Sequence, residues 1–231
     1  MISIIVPVYN EEEVIGAFIE AFMKKSKILY PYELIIVNDG SSDKTEEIVK
    51  KKSRKHKKIR LISYKPNKGL GYALRRGFSS SRGNVIVTMD SDLTHPPSFT
   101  GPLVKKVLEG YDVAIGSRYI PSAGVTKVPF HKDMLSKMTN LVTRLIIGSS
   151  IRDLTSGFRA YNSSSLNKIT TQEKGFEVEL EILLKLMKKN AKIIEVPFTS
   201  TDRQAGVSKF AVLKHGIRYF SGLVRIILHY W

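Results

Sequence analysis

The sequence contains no cysteine. Disulfides and thiolate metal sites are therefore excluded, and a reducing compartment suits the chain. Acid is scarce as well: 21 Asp and Glu stand against 37 Lys and Arg, a formal net charge of +16. A surface that basic suits nucleic acid, an anionic membrane surface or a phosphorylated substrate. No stretch reaches the roughly 20 apolar residues that span a bilayer. The start, Met1-Ile-Ser-Ile-Ile-Val-Pro-Val, lacks the basic region of a signal peptide. Also missing are a P-loop glycine-lysine pattern and a Gly-x-Gly-x-x-Gly fingerprint, which weakens ATPase and dinucleotide readings. The histidines are scattered, and no Ser-His-Asp set stands out.

What is present reads as an α/β domain. Apolar, β-rich runs at residues 2–8, 33–37, 59–63, 85–89 and 112–116 alternate with helical patterns at 11–27, 44–55, 70–80 and 97–108. Strands separated by helices of this length predict βαβ units and a mainly parallel sheet flanked by helices. The second half is less regular. Residues 117–129 read as a loop, 131–147 and 178–189 as helices, 152–159 as a polar connection and 192–198 as a strand. Residues 202–208 form a basic, Gly-containing loop. Residues 209–229 step their apolar positions by three and four, as an amphipathic helix does. No repeat or low-complexity linker appears. The expectation is one domain over 1–231, with a nucleotide-type half at 1–118, an acceptor-type half at 119–208 and an interfacial helix at 209–231.

The stretch Val85-Ile-Val-Thr-Met-Asp90-Ser91-Asp92-Leu-Thr94-His95-Pro96-Pro97 ends a strand in two aspartates. On a strand, i and i+2 face the same way. Two hard carboxylates that converge there suit Mg²⁺ or Mn²⁺ on substrate phosphates. Ligands of open parallel sheets sit at the carboxyl ends of strands. Tyr9 after the first strand, Asp39 after the second, Asp90 and Asp92 after the fourth and Arg118 after the fifth would meet there. That set can support a base ring, accept from a base or ribose donor, hold a metal and grip a phosphate. Taken singly, Asn10 and Asp39 also read as turn residues and caps.

Six stretches carry a family resemblance: Val6-Pro7-Val8-Tyr9-Asn10-Glu11, the run from Val37 to Thr45 (Val-Asn-Asp-Gly-Ser-Ser-Asp-Lys-Thr), Asn67-Lys68-Gly69-Leu70-Gly71, Asp90-Ser91-Asp92, Gly116-Ser117-Arg118-Tyr119 and Thr155-Ser156-Gly157-Phe158-Arg159-Ala160-Tyr161. Together they resemble the family 2 inverting glycosyltransferases, over residues 2 to about 220 of this chain. The Asp-x-Asp-Leu-x-His-Pro-Pro stretch and the last two motifs point more narrowly to the polyprenyl-phosphate branch, which includes the dolichyl-phosphate mannose synthases. The resemblance implies a GT-A (Rossmann-like) fold that binds a nucleotide sugar. It assigns Pro7, Tyr9, Glu11, Val37 and Asp39 to the base and ribose pocket. Asp90 and Ser91 fall near the ribose or sugar, and Asp92 on a Mg²⁺ or Mn²⁺ that holds the diphosphate, with Asp90 as a further candidate ligand. The family usually follows with glutamine where this chain has Thr94, so that ligand position departs from the pattern. Asn38 also stands where aspartate is common.

Further on, the resemblance puts Arg203 and Lys209 over the donor diphosphate and Arg118, with Lys132 and Ser136, on the acceptor phosphate. Asp90, Asp92 and Arg118 are the expected catalytic set. The implied reaction moves mannose from GDP-mannose to dolichyl or another polyprenyl phosphate. UDP-glucose is the alternative donor. The acceptor phosphate oxygen is already anionic, so no strong base is needed. The helices at 131–147 and 209–229, with Lys and Arg beside apolar faces and Tyr230-Trp231 at the end, fit the headgroup region of a membrane. The expected place is peripheral, on the cytoplasmic face, with a small membrane subunit as a further partner. Two readings of other classes remain open here: a basic nucleic-acid-binding protein, and an inactive nucleotide-sugar-binding subunit.

Overall fold

The computed structural model describes residues 1–201 and 224–226. A seven-stranded sheet forms the centre, in the order β3-β2-β1-β4-β7-β5-β8. β1 (Ile2–Val8), β2 (Tyr32–Asp39), β3 (Ile59–Tyr64) and β4 (Val85–Thr88) pair in parallel, as do β5 (Val113–Ser117) and β8 (Ile193–Pro197). Helices α1 (Ile15–Lys25), α2 (Thr45–Lys55), α3 (Leu70–Ser80) and α4 (Thr100–Leu108) make the crossovers of the first half. The mainly parallel, helix-flanked architecture read from the sequence is the one observed.

β1 is apolar on both sides because both sides are covered. Ile2, Ile4, Val6 and Val8 pack with Phe18 and Phe22 of α1 and Leu103 and Val107 of α4. Ile5 lies in the opposite cluster with Leu74 of α3 and Leu183 of α7 (Val178–Lys188). One strand thus joins two cores, each with its own helices.

Several elements differ from the sequence expectation. α1 begins at Ile15, and not at residue 11: the Val14 and Ile15 N–H groups both bond the Glu11 carbonyl, so residues 11–14 are a turn. β4 stops at Thr88, which puts Asp90 and Asp92 on the loop beyond the strand. The argument from strand alternation therefore does not hold for them. The polar connection at 152–159 leads into a strand, β7 (Arg159–Asn162), which inserts antiparallel between β4 and β5. Its first residue is a fully buried arginine, and a charge is a poor signal for an interior strand. Within the expected loop at 117–129, β6 (Gly124–Thr126) pairs in parallel with β9 (Thr199–Thr201) as a separate two-stranded sheet. α5 (Phe130–Ile147) and the short α6 (Ser163–Leu166) complete the described elements. Arg203, Lys209, the loop at 202–208, Tyr230-Trp231 and most of the helix expected at 209–229 lie outside the described residues, as does the side chain of Lys132.

Candidate active site

The strand order reverses at β1. β2 and β3 lie on one side of it and β4 on the other. Such a switch point splays the flanking loops apart and opens a crevice at the carboxyl edge. The loops after β1 and β4 border it, and these carry Tyr9 and the Asp90–Asp92 pair.

On the β1–β2 side the loops are knotted together by hydrogen bonds. The Asn10 N–H donates to Ser41 Oγ (2.9 Å) and the Glu11 N–H to Thr45 Oγ1 (2.8 Å). The Ser42 N–H returns a bond to Asn10 Oδ1 (2.8 Å). Asp43 receives the N–H groups of Glu12 and Thr45, tying the start of α2 to the turn after β1. Asp39 is buried and its carboxylate accepts from Lys68 N, Gly69 N and Asn67 Nδ2 at 2.7–2.9 Å. Three donors on one carboxylate make it an anchor for the turn into α3. Gly40 permits the close approach: its φ is +75°, and a Cβ there would lie 2.5 Å from the Asn67 nitrogen. Val37 is packed in the core beneath, while Tyr9 is the exposed one among the five residues expected in the base and ribose pocket and Pro7 is half-buried. The departure at Asn38 has a local reason. Its amide donates to Ser63 Oγ (3.0 Å) and to Glu46 Oε2 (3.3 Å), where an aspartate would set two carboxylates against each other.

Asp90 and Asp92 sit in different surroundings. The Asp90 side chain is 55% exposed, whereas Asp92 is buried. Asp92 Oδ1 accepts both the N–H (3.0 Å) and the hydroxyl (2.7 Å) of Thr94. Thr94 therefore orients the carboxylate. Leu93 takes a positive φ of 64°, which turns the loop back. The loop is braced from both sides: His95 Nδ1 accepts the Asp90 N–H (3.0 Å), its ring stacks on Phe158, and Ser200 of β9 donates to the Thr94 carbonyl (3.2 Å). Accepting that N–H leaves Nδ1 without a proton. Among the described residues, no group of three or more His, Cys, Asp or Glu is gathered to hold a metal. Two hard carboxylates on one braced loop nevertheless fit Mg²⁺ or Mn²⁺, which take one or two carboxylates and complete their shell with phosphate oxygens and water.

Beneath this loop lies a group absent from the sequence expectation. Glu179, near the start of α7, is almost fully buried, and its carboxyl stands raised to about 7, chiefly because burial disfavours its charge. Arg159 works against that rise and the nearby Asp90 charge adds to it. Arg159 Nη2 bonds the Leu154 carbonyl (2.8 Å), Nη1 bonds the Glu179 carbonyl, and Nη1 lies 3.6 Å from Glu179 Oε2. Glu179 Oε2, Arg159 Nε and the Tyr161 hydroxyl are buried without a hydrogen-bond partner. Val-Glu-Leu-Glu-Ile-Leu-Leu could have signalled this, since acids on a helix that is apolar all round have no solvent face.

At the end of β5, Arg118 is held on one edge. Its Nε and Nη2 form a fork with Asp153 at 2.8 and 2.7 Å, and Nη2 also reaches Thr155 Oγ1 (3.1 Å). Asp153 is fully buried. Burial alone would lower the Arg118 guanidinium; the Asp153 carboxylate outweighs it and holds the arginine above its usual range. Tyr119 stacks under the guanidinium at 5.0 Å and donates to Asp133 of α5 (3.4 Å). Ser136 lies beside the same phenol. Arg118, Tyr119, Asp133 and Ser136 are thus one cluster, while Arg203 and Lys209 are not described. α5 itself is inverted. Asn140 and Thr143 face inward, and Phe130, Met134, Leu135, Met138, Leu141, Val142, Leu145 and Ile146 stand exposed, Phe130 at 78% and Leu145 at 70%. No helix among the described residues is long and apolar enough to cross a membrane.

Comparison with known proteins places this arrangement. A dolichol-phosphate mannosyltransferase of Pyrococcus furiosus is 36% identical over 224 residues, covering 93% of this chain and 62% of that protein. A polyprenol monophosphomannose synthase of Mycolicibacterium smegmatis is 32% identical over 220 residues, covering 90% of this chain and 80% of that one. The chain therefore spans about 62% of the length of the first of these relatives. Among solved structures, glucosyl-3-phosphoglycerate synthase from Mycobacterium tuberculosis, in complex with Mn²⁺, UDP and glucosyl-3-phosphoglycerate, aligns over 98% of this chain and 80% of that one. The TM-score is 0.74 at 22% identity, a likeness of fold. The model of the family described as "Glycosyl transferase family 2" matches residues 3–170, most of the chain, and the chain belongs to that family.

Proposed function

We propose that this chain transfers mannose from GDP-mannose to dolichyl or another polyprenyl phosphate. The observation that carries the reading is the braced Asp90–Asp92 loop at the switch point, joined in one sheet edge to Arg118 and, through it, to the apolar face of α5. The names of the two mannosyl-transferring relatives support the sugar and the lipid. Residues 1–118 then form the donor half and 119–208 the acceptor half. The donor's base and ribose lie along Tyr9, Pro7 and Glu11, with Asp39 and Val37 shaping the pocket wall.

The chemistry follows from the acceptor. A phosphate oxyanion attacks the anomeric carbon, the new carbon–oxygen bond forms, and the bond to the nucleoside diphosphate breaks. The phosphate brings its own charge, so Asp90 and Asp92 serve the donor end instead of acting as a base. A divalent metal on Asp92, with Asp90 as a further ligand, supplies charge for the diphosphate. Mn²⁺ in the Mycobacterium tuberculosis structure supports such an ion. Arg118, with Lys132 and Ser136, holds the acceptor phosphate, and Arg203 and Lys209 close over the donor. The exposed α5 face, next to a net charge of +16, suits an anionic membrane surface from the cytoplasmic side, unaided or with a small anchoring subunit.

A transfer assay tests this, with GDP-mannose, UDP-glucose and other nucleotide sugars against a short polyprenyl phosphate, with and without Mg²⁺ or Mn²⁺. Metal-dependent transfer from GDP-mannose is expected. Transfer only from UDP-glucose would keep the mechanism and change the sugar. No transfer from any donor overturns the enzyme reading and leaves the inactive-subunit one.

A further inference from the structure

The inward face of α5 carries two polar side chains, Asn140 and Thr143, before the apolar Ile147, where a helix on a core is normally apolar throughout. Asn140 is buried, and a buried amide costs free energy unless it is bonded. It is bonded to one residue twice: Asn140 Nδ2 donates to Thr155 Oγ1 (2.9 Å) and the Thr155 N–H donates to Asn140 Oδ1 (3.1 Å). The same Thr155 hydroxyl accepts from Arg118 Nη2 (3.1 Å). Asp153 receives the Arg118 backbone N–H (3.0 Å) and both prongs of its fork. The 152–153 backbone is clamped in turn by Glu195 of β8, which accepts the N–H groups of Arg152 (2.9 Å) and Asp153 (3.0 Å).

We propose that Asp153, Thr155 and Asn140 are positioning residues that tie Arg118 to α5, so that the seat of the apolar helix sets the guanidinium for the acceptor phosphate. The proposal rests on the reading of Arg118 as the acceptor-phosphate group. Its physical basis is the geometry of the fork. With Nε and Nη2 turned toward Asp153, the opposite edge, carrying Nη1, is the one presented. Sliding α5 by one residue would take Asn140 off Thr155 and unpair two buried groups, so helix register and guanidinium orientation are one choice. An apolar pair at 140 and 155 would pack as well, but would carry no such link.

The test uses the full chain and measures equilibrium binding of a short polyprenyl phosphate and of the matching neutral polyprenol, together with KM for each substrate. Variants are Asn140→Ala, Thr155→Val and Asp153→Asn. Thr143→Val is the control: Thr143 is buried on the same helix but bonds only back to the Thr139 carbonyl. The expected result is a loss of preference for phosphate over alcohol of about five- to ten-fold in Asn140→Ala. The acceptor KM rises by the same factor and the donor KM stays within about two-fold. Asp153→Asn gives the larger loss, and Thr143→Val leaves the preference intact. If the variants lose thermal stability but keep the wild-type preference for phosphate, the residues are structural only and the inference fails. A wild-type chain that binds both lipids alike overturns the reading of Arg118, and the positioning role with it.

Discussion

Around residues 9–12 and 39–45 the loop amides meet side chains of the chain itself: Asn10 with Ser41, Glu11 with Thr45, Ser42 with Asn10. Along α5 most of the large apolar side chains face outward, Ile147 excepted, while Asn140 and Thr143 face inward. The two sides of the site are thus built for different partners. A soluble donor meets a surface whose shape is set by internal hydrogen bonds. On the proposed reading, the lipid acceptor meets the exposed apolar face of α5. Arg118 stands between them, anchored to the protein by Asp153 and to α5 through Thr155.

The largest effect should come from the donor side. Asp92→Ala removes a candidate metal ligand and the partner of Thr94; transfer should fall about 10³-fold, a few kcal/mol of lost charge stabilisation. Retained transfer would show that the braced loop does not handle the diphosphate. Arg118→Ala comes next. It leaves the buried Asp153 carboxylate without its counter-charge, so denaturant unfolding should show a loss of about 3–5 kcal/mol. A change at an exposed candidate donor residue, such as Tyr9→Ala, should cost about 0.5 kcal/mol or less. Equal losses at the two positions would erase the contrast between anchored and presented side chains.

The third effect depends on pH. The folded pKa of Glu179, about 7, lies above the ordinary 4.5. The native state keeps a proton that the unfolded chain releases, so stability from this group is full below about 4.5 and is lost as pH rises through about 7. Glu179→Gln should therefore be more stable than wild type at pH 8 by about 2–3 kcal/mol, and little different at pH 4. Thermal melts at the two pH values check it; a constant difference would place the carboxyl outside the buried network. The smallest effect is on the acceptor side. Phe130→Ser with Leu145→Ser should weaken binding to anionic vesicles about ten-fold, since the two side chains, only partly buried at a headgroup surface, gain a fraction of the roughly 1.5–3 kcal/mol that full burial of each would give. Folding stability should stay within about 0.5 kcal/mol. A marked loss of stability instead would mean that these side chains support the fold itself.

Much of the first half of the chain is legible without coordinates, because its signals are local. Continuous apolar runs such as Ile2–Val8 mark strands buried on both faces, and turn residues such as Asp39-Gly40 mark the loops between. The second half is harder to read because its signals are not local. β7 opens with Arg159, whose charge is answered by carbonyls of Leu154 and Glu179. β6 and β9 are too short to show a period, and pair across more than 70 residues. The site was legible to the same degree. Asp90, Asp92, Tyr9 and Arg118 stand out by type and place, but their partners do not. Asp153 in the Arg118 fork and Glu179 below the loop come from other segments of the chain, and His95, though in the same loop, does not show by its type that it takes the Asp90 amide.

The sequence alone determined the βαβ alternation, the carboxyl-edge loops, the aspartate pair and the basic, amphipathic character of the second half. Residue type and short-range spacing suffice for these. Tertiary structure alone decided that Asp90 is exposed and Asp92 buried, that Thr94 orients a carboxylate, that Asp39 anchors a turn and that α5 turns its apolar side outward. Burial and hydrogen-bond partnership depend on which distant segments meet, and the insertion of β7 between β4 and β5 is what brings them together.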